Sequence, residues 1–477
     1  MTSIKKNFFY SSILTTANYI FPFLTYPYIS RILGVNNIGV CNFVDSIINY
    51  FILFSMMGIG TIGIREIAKC KENKEQRNQI FSSLFILNTI STTIALIILF
   101  ILIYTIPKLY IHKELMYIGA LKLISNYLLI DWLYRGLEEF RYVTIRTIIV
   151  KSLYVIAIFI FIHQADDYKI YYLASCLMIT VNAIFNGSYA KKFIKLSISK
   201  INIKAFISPF LILGSYTILT SMYTSFNVAY LGFVTNETEV GYYTTATKLY
   251  SILLALFTAF TGVLLPRMSS LLSENRLNEF KELLQKSINI LFTFSIPLII
   301  ISTIMAPEII QIIAGKGYEG AIIPMRIVMP LMLIIGYEQI MVIQTLMPLR
   351  KDKAILCNSI LGAITGILMN ILLVSSYKSI GSSIVWITSE LVVLSASQYF
   401  VYKYIKISFP SKLLIKNILY HIPLAICIYI MQTTNINKLI LLTIVGIITL
   451  IYCFILQVFL IKNTTVVQIF DRIKKRK

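Results

Sequence analysis

SSILTTANYIFPFLTYPYISRILG, residues 11–34, is an apolar run with Ser11, Thr15, Asn18, Pro22 and Thr25 spaced at gaps of 4, 3, 4 and 3, one stripe of a helix. The run SPFLILGSYTILTSMYTSFNVAYLG, residues 208–232, carries Thr217, Thr220, Thr224 and Asn227. These four stand 202 residues after Thr15, Asn18, Pro22 and Thr25. The same offset relates Gly39 to Gly241 and Arg65 to Arg267. Six coincidences at a single offset mark an internal repeat.

Composition sets the class. Hydrophobic residues make up 57% of the 477, charged residues 13%, and the mean hydropathy is +0.78. Apolar runs of about 20 residues recur along the whole length, so the chain reads as an all-α polytopic membrane protein. No cleavable signal peptide is expected, because the first apolar run is too long and too polar. The six cysteines are scattered without metal or redox spacing, and His112, His163 and His421 are isolated, so no metal site is expected.

Hydropathy divides the chain into about fourteen spans, at 8–30, 39–63, 80–106, 114–134, 143–163, 169–189, 206–230, 241–265, 284–306, 322–347, 355–376, 381–404, 415–432 and 438–461. Of the 43 lysines and arginines, 33 are assigned to the side of the termini, connections and adjoining helix ends together, seven to the other side, and three, Lys122, Lys248 and Arg326, to the spans themselves. The positive-inside rule therefore predicts cytoplasmic termini. It also makes the net charge of +22 mostly a matter of topology rather than a nucleic-acid surface. The repeat predicts a six-helix bundle over 1–205, a second over 206–410, and two further helices with a basic cytoplasmic tail over 411–477. An even number of spans per unit relates the two bundles by an axis along the membrane normal.

Several segments then carry a resemblance: TYPYISRILG (25–34), IGVCNFVDSIINYF (38–51), GIGTIGIREIAK (58–69), DWLYRGLEEFRYVTIR (131–146), VGYYTTATKLYSI (240–252) and QTLMPLRKDK (344–353). The chain resembles the polysaccharide or O-antigen flippases of the multidrug/oligosaccharidyl-lipid/polysaccharide exporter superfamily. That resemblance implies translocation of an undecaprenyl-pyrophosphate-linked oligosaccharide across the bacterial inner membrane by alternating access. It also implies the lipid bilayer, the polysaccharide polymerase and a chain-length regulator as partners, and a cavity near the midplane whose basic groups meet the phosphates.

The residues themselves mark candidates. A charge deep in the bilayer costs about 2.5–3.5 kcal/mol even on a lenient scale and is seldom left facing lipid. Lys248, about 10 Å along its helix from Gly241, is the first candidate for a phosphate-binding cation. Arg31, Arg65, Lys122 and Arg326 follow it, with helix capping and interfacial anchoring as the competing roles. Asp45 resembles the family's acidic position in the second helix, and pairing with Lys248 is one role open to it. Asp45, Glu338 and Glu390 are candidates for coupling to protons or sodium, and no other cofactor is expected. The stripe of Thr15, Asn18, Thr25, Asn49, Thr217, Thr220, Thr224 and Asn227 is expected to line the cavity, with helix cementing as the alternative.

Other functions fit less well. A membrane glycan polymerase would place paired carboxylates on a large outer loop, and the longest outer connection, about 306–321, has none. A multidrug cation antiporter of the same superfamily would present a mainly acidic or aromatic cavity, which Lys248 and the flippase-like motifs oppose. A lipid II flippase remains a rival on the same residues. No P-loop pattern is present, so direct ATP hydrolysis is not expected.

Overall fold

The computed structural model describes residues 4–196, 201–434 and 436–457. The basic stretch DRIKKRK at 471–477 lies outside the described residues, which hold helices and no strand. In chain order the helices are α1 (Ile4–Met56), α2 (Ile59–Lys69), α3 (Lys74–Thr105), α4 (Pro107–Ile111), α5 (Lys113–Asn126), α6 (Asp131–Gly136), α7 (Phe140–Phe161), α8 (Tyr168–Ala190) and α9 (Lys204–Thr224). They continue as α10 (Phe226–Val234), α11 (Glu237–Ser273), α12 (Leu277–Ile304), α13 (Ala306–Ile313), α14 (Ile322–Val328), α15 (Leu331–Met341), α16 (Asp352–Ile405), α17 (Ser411–Gln432) and α18 (Lys438–Ile455).

Ten helical runs among the described residues are long and apolar enough to cross a bilayer. Two of them, of 61 and 54 residues, are more than twice the ~20 residues that one crossing takes. The sequence-based count of about fourteen spans differs from these ten runs partly because the first two spans continue as one rod broken at Gly34, and the eleventh and twelfth as one rod broken at Lys378. Gly34, at φ 73° and ψ 167°, occupies backbone space that essentially only glycine enters without strain. Its repeat counterpart, Asn236, stands between α10 and α11, where its side chain accepts from the Glu239 backbone N–H at 3.0 Å. Both repeats therefore interrupt their rods at the same place by different chemistry.

Side-chain exposure matches a lipid solvent. Ile94, Ile97, Ile98 and Ile101 on α3 are each 44–56% exposed, a contiguous apolar face that an aqueous protein would bury. Contacts divide the chain into two compact units, 1–244 with 366–382, and 245–365 with 383–477. The boundary between six-helix bundles expected at 205/206 therefore falls inside the first unit, because the start of α11 packs on α1 there.

In the first unit, the core beside α2 gathers Ile59, Ile62, Ile67, Phe81, Leu84, Trp132 and Leu133. Gly63 makes it possible: a Cβ there would sit 2.3 Å from the Trp132 ring. Gly63→Ala is expected to lower stability by roughly 1–3 kcal/mol through overpacking, read as an earlier thermal midpoint of the purified protein. A midpoint equal to wild type would show that the indole has room to move. In the second unit, α13, α17 and α18 share a core of Met305, Leu424, Ile428, Leu441 and Val445. Gln432 on α17 ties this core to the end of α12 and to Glu308 of α13, through bonds of 2.9 Å to the Ile304 carbonyl and 3.0 Å to the carboxylate.

Candidate functional site

The repeat becomes physical where α1 meets the start of α11, inside the first unit. A Cβ on Gly39 would stand 1.7 Å from the Glu237 carbonyl oxygen, and one on Gly241 would stand 2.3 Å from the Val35 carbonyl oxygen. Glu237 is the repeat counterpart of Val35, so the two contacts are reciprocal. One turn further on, Asn42 donates through Nδ2 to Oγ1 of Thr244, its own counterpart 202 residues later, at 3.0 Å. Small residues let the two backbones touch, and the amide–hydroxyl bond fixes their register.

Directly beyond that bond lies a cavity of about 230 Å³ lined by Asn42, Asp45, Ser46, Asn49, Tyr50, Leu53, Ser225, Val228 and Thr244. Its floor is ionic. Lys122 of α5 places its ammonium 2.6 Å from Oδ1 of Asp45 and 2.8 Å from Oδ1 of Asn49. Asn49 in turn donates to Oδ2 of Asp45 at 2.9 Å, and the Tyr172 hydroxyl lies 3.4 Å from Oδ1. Lys122 keeps 12% of its side chain exposed and Asp45 32%, so the pair is shielded without being sealed. Two of the three ammonium donors are thus committed, in a fixed geometry, against the long apolar run that carries Asp45 and Asn49. The wall is held by the Tyr50 hydroxyl, which donates to the Ser221 carbonyl at 3.0 Å.

The other sequence-chosen residues divide by surroundings. Lys248, half-buried on α11 in the second unit, is the repeat counterpart of Ser46, a cavity-lining position in the first. Arg65 is exposed and paired with the adjacent Glu66 at 2.8 Å. Arg326 is exposed and donates to the Thr303 carbonyl at 3.1 Å, a helix-end contact, and Arg31 is also exposed. Glu390, 2% exposed, accepts from the Trp386 indole at 3.0 Å, and the half-buried Glu338 carboxyl interacts with it. These two acids are neighbouring carboxyls within the second unit, Glu390 buried and Glu338 half-buried.

The threonine stripe is satisfied within its own helices. Thr15, Thr25, Thr217, Thr220 and Thr224 each donate to a carbonyl one turn back, at 2.9–3.2 Å. Asn18 is exposed and receives a bond from Lys151 at 2.7 Å. Asn227 is fully buried and accepts from Asn370 at 2.8 Å. Sequence reasoning passed over Tyr172, Tyr50, Ser225 and Thr244. Thr244 alone carried a signal, standing 202 residues after a polar residue of α1.

A family model described as polysaccharide biosynthesis protein matches residues 4–272, more than half of the chain. The chain belongs to that family. Two curated relatives, from Escherichia coli (strain K12) and Shigella dysenteriae, each carry the name putative O-antigen transporter. They are 26% identical over 406 and 407 residues, spanning 84% and 82% of this chain and 97% and 98% of the relative. Among solved structures, the lipid II flippase MurJ in an inward closed conformation superposes with a TM-score of 0.78 at 15% identity, covering 95% of this chain and 99% of that one. An outward-facing multidrug resistance MATE transporter of the MOP superfamily gives 0.55 at 13% identity, covering 86% and 96%. These likenesses show a shared fold. The chain is a multi-pass helical membrane protein of the polysaccharide biosynthesis family.

Proposed function

We propose that the chain carries an undecaprenyl-pyrophosphate-linked oligosaccharide, an O-antigen or capsule repeat unit, from the cytoplasmic to the outer leaflet by alternating access, with both termini cytoplasmic. The observation that carries this reading is the Asp45–Lys122–Asn49 cluster, a polar floor under a cavity among bilayer-spanning helices in a chain of this family. Each unpaired hydroxyl of a glycan taken into hydrocarbon costs roughly 4–8 kcal/mol on an alkane scale. A wall of amides, hydroxyls and an ion pair replaces water for such a head group and removes most of that cost.

The pyrophosphate needs cations, and Lys248, a half-buried cation on the apolar helix α11, is the one proposed to meet it. With the cell interior negative, outward movement of an anion is favoured by about 2.3 kcal/mol per charge per 100 mV, so uniport is physically possible. The neighbouring carboxyls of Glu338 and the buried Glu390 support a second reading, in which proton or sodium exchange drives the cycle. The polysaccharide polymerase and chain-length regulator are the proposed downstream partners.

The test is the sidedness of undecaprenyl-linked glycan in a null strain complemented with wild type, Lys248→Ala or Lys248→Arg at equal membrane levels. The expected result is glycan stalled on the cytoplasmic face with the alanine and export restored with the arginine. Normal export by Lys248→Ala would remove the lysine from the path. A null strain that stalls lipid II instead would replace the substrate.

A further inference from the structure

A second site stands on α7, away from the cavity above and sharing none of its lining. Arg146 is only 7% exposed. Its Nη2 donates to Oδ1 of Asp131 at 3.1 Å and to Oγ1 of Thr147 at 3.2 Å, while Asn186 also donates to Asp131 at 2.7 Å. Nε and Nη1 are buried and donate to no acceptor among the described residues. A guanidinium with two unmatched nitrogens is an expensive group to bury, and it points to an acceptor that the chain does not itself supply.

The same arginine lines a cavity of about 470 Å³ with Arg141, Tyr142, Phe185 and Tyr189. Tyr142 stacks on Tyr189 with centroids 3.7 Å apart, and the guanidinium lies 5.6 Å from the Tyr142 ring centroid. Ile145, Ile149 and Phe185 on the same rim are 42%, 53% and 50% exposed, so the cavity opens toward lipid. One carboxylate, Glu139, shares the lining with the two arginines, and Asp131 behind the lining balances Arg146, so the cavity offers guanidinium donors rather than a large net charge.

We propose that this cavity seats the phosphate of a membrane lipid between Arg141 and Arg146, its apolar chain lying over Ile145, Ile149 and Val150. Planar guanidinium forks match phosphate oxygens, and the exposed isoleucines give a long chain somewhere to lie, which a free anion would not use. A bilayer phospholipid and the phosphorylated isoprenoid carrier share this chemistry.

The test is native mass spectrometry of the full chain released from detergent, titrated separately with phosphatidylglycerol, undecaprenyl phosphate, diacylglycerol and inorganic phosphate. Saturable one-to-one adducts are expected with the phosphate-bearing lipids and not with diacylglycerol. Arg141→Gln, on an exposed side chain, should weaken them about tenfold, the worth of one charge-assisted bond. Arg146→Gln/Asp131→Asn, which leaves no stranded carboxylate, should weaken them further. The phosphate lipid retained at the lower concentration identifies the source. Equal adducts with diacylglycerol, or titrations unchanged in both variants, would overturn the site. Displacement of the lipid by inorganic phosphate at equal concentration would reduce it to an anion pocket and overturn the lipid assignment. Because this cavity and the one beside Asp45 share no residue, failure here leaves the export reading to stand or fall on Lys248.

Discussion

Lys122→Met is expected to stop export and to lower the thermal midpoint of the purified protein, and adding Asp45→Asn is expected to restore the midpoint without restoring export. The lysine accounts for the only salt bridge found for Asp45 among the described residues, at 2.6 Å, and for a bond of 2.8 Å to Asn49. Removing it leaves a carboxylate in helices that span a bilayer. Breaking a buried pair from one side typically costs ~3–5 kcal/mol, and the 32% exposure of Asp45 places this case at or below the lower end. Neutralising both partners removes the stranded charge, so stability returns. The head-group contacts of the cavity floor do not return with it, and this separates a functional cluster from a structural tie. Export by the double variant at the wild-type rate would reduce the pair to packing.

Gly39→Ala is expected to prevent accumulation of folded protein. The new Cβ would lie 1.7 Å from a backbone carbonyl oxygen, about half of an ordinary carbon–oxygen separation, and neither backbone has a side-chain torsion with which to yield. The cost should reach at least about 3 kcal/mol, at the top of the overpacking range. Gly60→Ala is the matched control: it lies on α2 with nothing within 4 Å of its Cβ, and helix propensity predicts a gain of up to about 1 kcal/mol. Both are read by detergent-solubilised yield and by thermal unfolding. Similar midpoints for the two variants would mean that α1 and α11 do not meet as described.

The all-helical membrane class and the repeat were legible in the sequence because both are periodic properties of a linear string. Pairings were not. Asp45, Asn49 and Lys122 were each visible as polar residues within apolar runs, and the i, i+4 spacing even set Asp45 and Asn49 on one face. That Lys122 rather than another cation meets them depends on how α5 is rotated against α1, which no local pattern records. The threonine stripe had the spacing of a wet face, yet its hydroxyls return to their own carbonyls, so the stripe alone does not define a lining. Asn227 belonged to the same stripe and is a fully buried partner of Asn370, 143 residues away. Arg146 closes the motif at 131–146 but was not singled out as a site, because a buried arginine and a cytoplasmic anchor look alike until the neighbours are known. Gly34 and Gly39 read simply as the end of a motif and a repeat marker, whereas one breaks a rod and the other admits a backbone.

The glycine crossing of α1 and α11 has a bearing on ancestry. Val35 meets Gly241 and Glu237 meets Gly39, so a half-length chain meeting its own copy at that crossing would have formed an isologous dimer in which one glycine codon supplied both sides. In such a dimer a single substitution strikes twice. Two halves held in one chain leave each position free to vary alone. Asn42 and Thr244, counterparts that now bond as unlike residues, record that freedom: a self-paired dimer could set only like against like, and the fused chain has put an amide against a hydroxyl at the rim of its cavity.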